Sequence, residues 1–302
     1  MRGVCLLLLA PWCALSQSER VTYTFDADGR RVPERVVTAT NGTRGELLRN
    51  ANGRLSPTEV TEEKVISAGA SGKVVERIIK QFDPMGQLAS VTKIRLEEQK
   101  HPDGSTTAVS TTYDRTLNGS FELRERTVAQ SRHDNGQLRT ETLAERPTVN
   151  GSIEVVERRV AVEQVAAGQS RQEILVYRRE PGAGFRETER EVTVSQTTDG
   201  VTLSTTEKYN TAATGRMELA NQYRRRVEKQ PDGSEREVVD ILGAGVGDYS
   251  PQPALRERQI IERKPAPGGM TETFSIQRPE LGSGKLSKPQ PISETVCRGN
   301  CR

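Results

Sequence analysis

The chain has 302 residues, with 44 Lys plus Arg against 41 Asp plus Glu and a formal net charge of +3. That near-balance excludes a general electrostatic pull towards nucleic acid or an anionic membrane. Hydrophobic residues make up 33% and aromatics 4%, short of the roughly 45 to 50% apolar content, Gly included, of a compact two-layer domain, so a large packed core is excluded as well.

The first predicted element is a signal peptide over residues 1–16. MRGVCLLLLAPWCALSQ has one cation at Arg2, an apolar run from Val4 to Leu9, and small residues at Ala14 and Ser16, which is the three-part export pattern. Trp12 stands before Cys13 where a lipoprotein would carry a small residue. No other run approaches the roughly 18 apolar residues needed for a membrane-spanning helix.

From residue 17 the chain is punctuated by turn signals. Gly72, Gly104, Gly136, Gly168, Gly200 and Gly233 form one series, and Gly53, Gly86, Gly119, Gly151, Gly184 and Gly215 form another. Asn-Gly and Asp-Gly supply the positive φ that tight hairpin turns require. The interval of about 32 within each series, visible as HPDG at His101 and HDNG at His133, predicts a repeating hairpin of two strands and two turns. Side chains keep the same register: Leu55, Leu88, Phe121, Ile153, Phe185 and Met217 follow the second series. Phe82, Tyr113, Tyr177 and Tyr209 close the strands opened by the first, with Glu145 interrupting that column. These columns read as cross-strand ladders.

The segments between turns are rich in Val, Thr, Ile, Arg and Glu. Thr58–Ile66 and Ala254–Lys264 lack a clean helical period and are assigned to strands. In Ser152–Val165 the apolar phase moves from Ile153 and Val155 to Val156, Val160 and Val162, as a β-bulge would cause. RETEREVTV (Arg186–Val194) places Arg186 and Arg190 on one face and Glu187, Glu189 and Glu191 on the other, so neither face suits lipid. The expected fold is therefore all-β: a long antiparallel meander of about 32-residue hairpins over residues 17–277, an open or curled single-layer sheet. Residues 278–302 are expected to be a flexible tail carrying Cys297 and Cys301, a pair close enough for a small disulfide loop in an oxidising compartment.

VTYTFDADGRR (Val21–Arg31), QFDPMGQLASVT (Gln81–Thr92) and HDNGQLRTET (His133–Thr142) resemble the aromatic-Asp-x-x-Gly-Arg-Leu motif of YD (Rhs-type) repeats. The resemblance implies a curved β shell of the kind found in secreted polymorphic toxins and adhesion proteins.

Candidate chemistry is sparse. His101 and His133, with Asp103 and Asp134, invite a metal reading, but equivalent positions two strands apart are separated by about 10 Å, too far to share an ion at about 2 Å each. GAGVG (Gly243–Gly247) lacks the spacing of a dinucleotide fingerprint. Sequons at Asn41, Asn118 and Asn150 fall on turns, where Asn-Gly is expected anyway. The reading is a secreted, periplasmic or cell-surface repeat protein with a structural, adhesive or binding role. It has no catalysis, cofactor, metal or nucleic-acid partner, its partner being an unidentified protein or polysaccharide. The alternatives are a YD-like shell component of a toxin or secretion system, and an outer-membrane β-barrel, for which membrane insertion is disfavoured by the charged strand faces.

Overall fold

The computed structural model describes residues 18–40, 44–51, 53–180, 182, 184–243, 253–280 and 282–299; the expected signal peptide and Asn41 lie outside them. The first nine strands are β1 (Ser18–Phe25), β2 (Arg31–Thr40), β3 (Arg44–Ala51), β4 (Arg54–Gly69), β5 (Gly72–Phe82), β6 (Leu88–Lys100), β7 (Thr106–Arg115), β8 (Phe121–Asp134) and β9 (Gln137–Pro147). They are followed by β10 (Ile153–Ala166), β11 (Gln169–Glu180), β12 (Gly184–Thr198), β13 (Val201–Thr211), β14 (Met217–Lys229), β15 (Glu235–Gly243), β16 (Ala254–Ala266), β17 (Gly269–Gln277) and β18 (Gln290–Arg298). Each pairs antiparallel with the next, and β1 also pairs with β18 from Glu19↔Arg298 to Thr24↔Ser293.

The meander is thus an 18-stranded closed barrel, which corrects both the open or curled sheet and the shell implied by the YD resemblance. Closure removes the two free edges that an open sheet would present for aggregation. The flexible tail is corrected too: β18 is cut from it and supplies the closing strand. The Pro- and Gly-rich stretch before β18 is a connecting loop pinned by the Pro279↔Leu286 bridge and by Gln277 Nε2 donating to the Ser287 carbonyl at 2.7 Å.

What curls the wall is a repeated irregularity. Every odd-to-even hairpin, from β1/β2 to β17/β18, carries one register shift near the same end. The extra residue always lies in the even strand, such as Val156 between Val155 and Glu157, or Thr188 between Glu187 and Glu189. A bulge bends its strand and increases the local right-handed twist, so nine of them form a ring of bends around one rim, called here the bulged rim. One further bulge lies between β4 and β5. The phase change seen in Ser152–Val165 is this device. It also corrects the alternation expected of Arg186–Val194: Arg186, Glu189 and Glu191 share one face, while Glu187 and Arg190 share the other.

Handedness decides which face is outside. Asn135 (φ 49°) and Gly136 (φ 76°) form a two-residue turn, so Asp134 and Gln137 exchange both backbone hydrogen bonds. Residues of β8 in the same phase, Gln130 among them, therefore bond forwards to β9. For an L-residue facing the viewer on an upward strand, the backbone N–H and C=O point right, so β9 lies to the right. The pairing row then runs Gln130, Glu141, Val160, Leu175, Arg190. It descends from four residues below the end of β8 to six below that of β10 and eight below that of β12. With the natural inter-strand twist of about −20 to −25°, a row descending to the right is seen from outside.

Eighteen strands spaced about 4.8 Å apart give roughly 86 Å of wall, hence a backbone diameter of at least about 27 Å before tilt widens it. Substantial strand contacts are confined to ladder neighbours and next-but-one strands, so the interior is hollow. Buried apolar residues are scattered through the wall, as with Val91, Val160 and Ile260 outside and Val75, Val176 and Val227 inside.

Two outcomes are expected. A Cβ at Gly72 would stand 2.2 Å from the Glu98 carbonyl oxygen, while one at Gly69 meets nothing within 4 Å. Gly72→Ala should therefore lower unfolding stability by about 1–3 kcal/mol and Gly69→Ala should change it by less than about 0.5 kcal/mol, both read from urea midpoints. Ending the chain at Ser287 removes β18 and exposes the edges of β1 and β17; size-exclusion chromatography should then show larger oligomers than the full-length chain forms.

Candidate functional site: the bore and the bulged rim

The inner face is built from alternate residues of each strand and is rich in hydroxyls. Ser131 and Thr140 stand 2.8 Å apart, Thr193 and Thr206 2.8 Å, and Thr197 and Thr202 3.0 Å, oxygen to oxygen. Inner charges are held in pairs and clusters. Arg263 binds Glu272 at 2.7 Å, Glu235 at 2.5 Å and Glu237 at 3.1 Å, and Glu237 also takes Arg225 at 2.6 Å. Arg77 holds Glu63 at 2.7 Å and Lys208 holds Glu191 at 2.9 Å. The inner face is thus polar, with hydroxyls and ion pairs over β4–β17 and a group of arginines, Arg20, Arg35, Arg49 and Arg54, on β1–β4.

The outer wall differs. Over most of its height it carries ion-pair ladders: Arg158 on Glu141 at 2.6 Å, Arg126 on Glu145 at 3.1 Å, and Arg258 on Asp240 through two bonds of 2.6 and 2.8 Å. A groove of about 590 Å³ crosses β12 to β16 between Val194, Leu203, Arg224, Arg236, Asp240 and Arg258.

At the bulged rim the chemistry changes. The bulge pairs are Tyr23↔Pro33, Leu48↔Pro57, Phe82↔Leu88, Tyr113↔Leu123, Glu145↔Val155, Tyr177↔Glu187, Tyr209↔Leu219 and Leu242↔Leu255. One step rimward on the same outer face stand Phe25, Leu55, Phe121, Ile153, Phe185 and Met217. Of the ten aromatic residues in the described chain, all but Tyr223 and Phe274 lie in this belt. The two levels lie two residues apart, about 7 Å along the strand. Cations edge it: Lys93 lies 5.2 Å from the Tyr113 ring centre and 5.1 Å from that of Phe121, and Arg158 lies 5.7 Å from Tyr177.

The residues singled out in the sequence do not assemble. His101 sits in the β6–β7 turn with Nε2 2.9 Å from Thr107 Oγ1, and His133 is exposed on β8 opposite Leu138. Asp103 accepts from the Ser105 hydroxyl at 2.6 Å and its backbone N–H at 2.9 Å, which holds its carboxyl below the usual range. Asp134 flanks the neighbouring turn opposite Gln137. Among the described residues no group of three or more His, Cys, Asp or Glu is placed to hold a metal ion. Cys297 is buried on the inner face and disulfide-bonded, and Cys301 lies outside the described residues. The Asn118 side chain accepts from the Ser120 backbone N–H at 3.1 Å and closes its own turn. The two apolar columns were visible in the sequence as ladders. That both face outwards at one rim was not, because the bulges that set their phase leave no residue-type signature.

No family model matches the chain, and no curated protein matches it. Solved structures do. OmpF of Salmonella typhi is 11% identical, with 93% of this chain and 95% of that one covered, at a TM-score of 0.46. A triple mutant of the Rh. blastica porin is 8% identical, with 93% and 99% covered, at a TM-score of 0.52. The second establishes likeness of fold. No helix in the described residues is long and apolar enough to cross a membrane, which has no bearing on a barrel. Closure and porin-like architecture together overturn the expectation of a secreted structural or adhesive repeat protein: the chain has the fold of a porin-like β-barrel.

Proposed function

We propose that the protein is a porin-like conduit of the cell envelope, a hollow barrel whose bore gives small polar solutes an aqueous passage. The observation that carries this is the β1–β18 seam, which turns a sheet into a tube. Barrels of 16 to 18 strands leave a water-filled channel where smaller ones fill with side chains. The hydroxyl ladders and internally paired charges of the inner face suit such a channel, and the export pattern at residues 1–16 suits delivery to the envelope. The reading assigns the protein no catalytic step.

A second reading, a channel spanning the outer membrane across its full thickness, is favoured by the fold likeness to the Rh. blastica porin over nearly the whole of that chain. It must meet a demand that the conduit reading does not. A spanning barrel shows lipid an apolar band about 25 Å tall, and each Lys or Arg at mid-depth costs about 2–4 kcal/mol. The outer ladders of Arg158, Arg258 and their neighbours occupy that depth.

Single cysteines test the tube. Ser204→Cys places the thiol inside and Thr205→Cys places it outside on the same strand. A small methanethiosulfonate reagent should label both, and a maleimide carried on a bulky polymer only Thr205→Cys. Equal labelling of both by the polymer, or no labelling of Ser204→Cys by the small reagent, would refute an open bore. Stepwise conductance from detergent-solubilised protein in a planar bilayer would select the full-span reading.

A further inference from the structure

We propose that the bulged rim is a lipid-docking surface: the aromatic belt lies in the headgroup zone of a membrane, and the turn tips beyond it enter the apolar layer. This goes beyond the conduit reading and does not depend on whether the bore is open.

Exposure supplies the first argument. Met85 is 86% exposed, Leu117 111% and Val149 102%. They stand at the tips of three successive turns of the bulged rim, after β5, β7 and β9: Met85 is the third residue of its turn, Leu117 and Val149 the second of theirs. A turn needs no large apolar side chain at its tip, and the turns of the opposite rim offer Asn135, Ala167 and Asp199 at such places. Directly behind the tips, Leu88, Phe121, Ile153 and Phe185 remain 39 to 51% exposed on the outer face.

Shape and extent identify the occupant. Tips on three successive hairpins trace an arc of one rim, and a surface that meets such an arc along its length is flat. The two apolar levels are about 7 Å apart, within the roughly 5–10 Å to which interfacial elements sink and far short of the roughly 25 Å of a spanning band. Tyr and Phe with flanking Lys and Arg are the side chains suited to the headgroup level, as in Lys93 over Tyr113 and Phe121. Acidic and basic residues both occur around the rim, Asp26, Asp83, Arg115 and Arg179 among them, so uncharged phosphatidylcholine suffices as the partner.

Beyond residues 1–16 the chain has no tryptophan, the single one being Trp12, so reporters can be placed freely. Leu117→Trp marks a tip and Ala167→Trp marks the opposite rim. With phosphatidylcholine vesicles, Leu117→Trp emission should shift to the blue and be quenched by lipids brominated on their acyl chains, while Ala167→Trp stays unchanged. The combined variant Met85→Glu, Leu117→Glu, Val149→Glu should lower the protein recovered with floated vesicles by about tenfold or more, with the thermal midpoint of the barrel unchanged. Absence of flotation by the unsubstituted protein would overturn the proposal, as would quenching of both reporters or concentration-dependent dimerisation that buries the tips without lipid. Cysteine labelling of the bore is a separate readout, so failure of one reading leaves the other standing or falling by itself.

Discussion

Curvature applied one residue at a time is the constraint on which this structure rests. A flat antiparallel ladder of Val, Thr, Arg and Glu has no reason to meet its own first strand. Here each of the nine hairpins takes one surplus residue at the same height, and each surplus residue bends and twists its strand. The accumulated bend brings β18 to β1, and the seam then satisfies backbone groups that would otherwise stand at two open edges. Everything functional follows from that event, because only a closed wall distinguishes an inside from an outside.

The same surplus residues sort the side chains. Below the bulge level, odd and even positions alternate between bore and wall in the ordinary way; above it the phase of the even strand is reversed. Without Thr188, Phe185 would turn inwards and Arg186 outwards. The belt of aromatic and aliphatic residues is therefore a product of backbone geometry as much as of composition. It explains how a chain with 4% aromatic residues concentrates most of them in one narrow zone.

Much of the architecture was legible in the residues, because Asn-Gly and Asp-Gly turns report positive φ directly and the 32-residue interval reports a hairpin. Strand identity followed for stretches such as Ala254–Lys264. Closure was not legible. It depends on the sum of small bends, and the residues that cause them, Val156, Thr188 and Ala220 among them, are ordinary strand formers. The C-terminal strand was hidden for a similar reason: Gln290–Arg298 follows a loop rich in Pro and Gly, and its pairing partner β1 lies 273 residues away at Thr22 and Thr295. Of the candidate site, both apolar columns were found, yet alternation counted along Arg186–Val194 without the bulge put charges on the wrong faces.

One feature of the wall bears on how such a barrel changes over time. Backbone bonds run from Lys100 to Ser71, from Thr197 to Gly168, from Lys229 to Gly200 and from Gly299 to Gly268, tying each of those turns to the strand end of the following hairpin. Each of the nine units thus carries its own bend, and four of the turns carry a fastening to the next unit. Duplication or loss of a single such stretch of gene would alter the girth of the tube in discrete steps while leaving the joining chemistry of the remaining units intact.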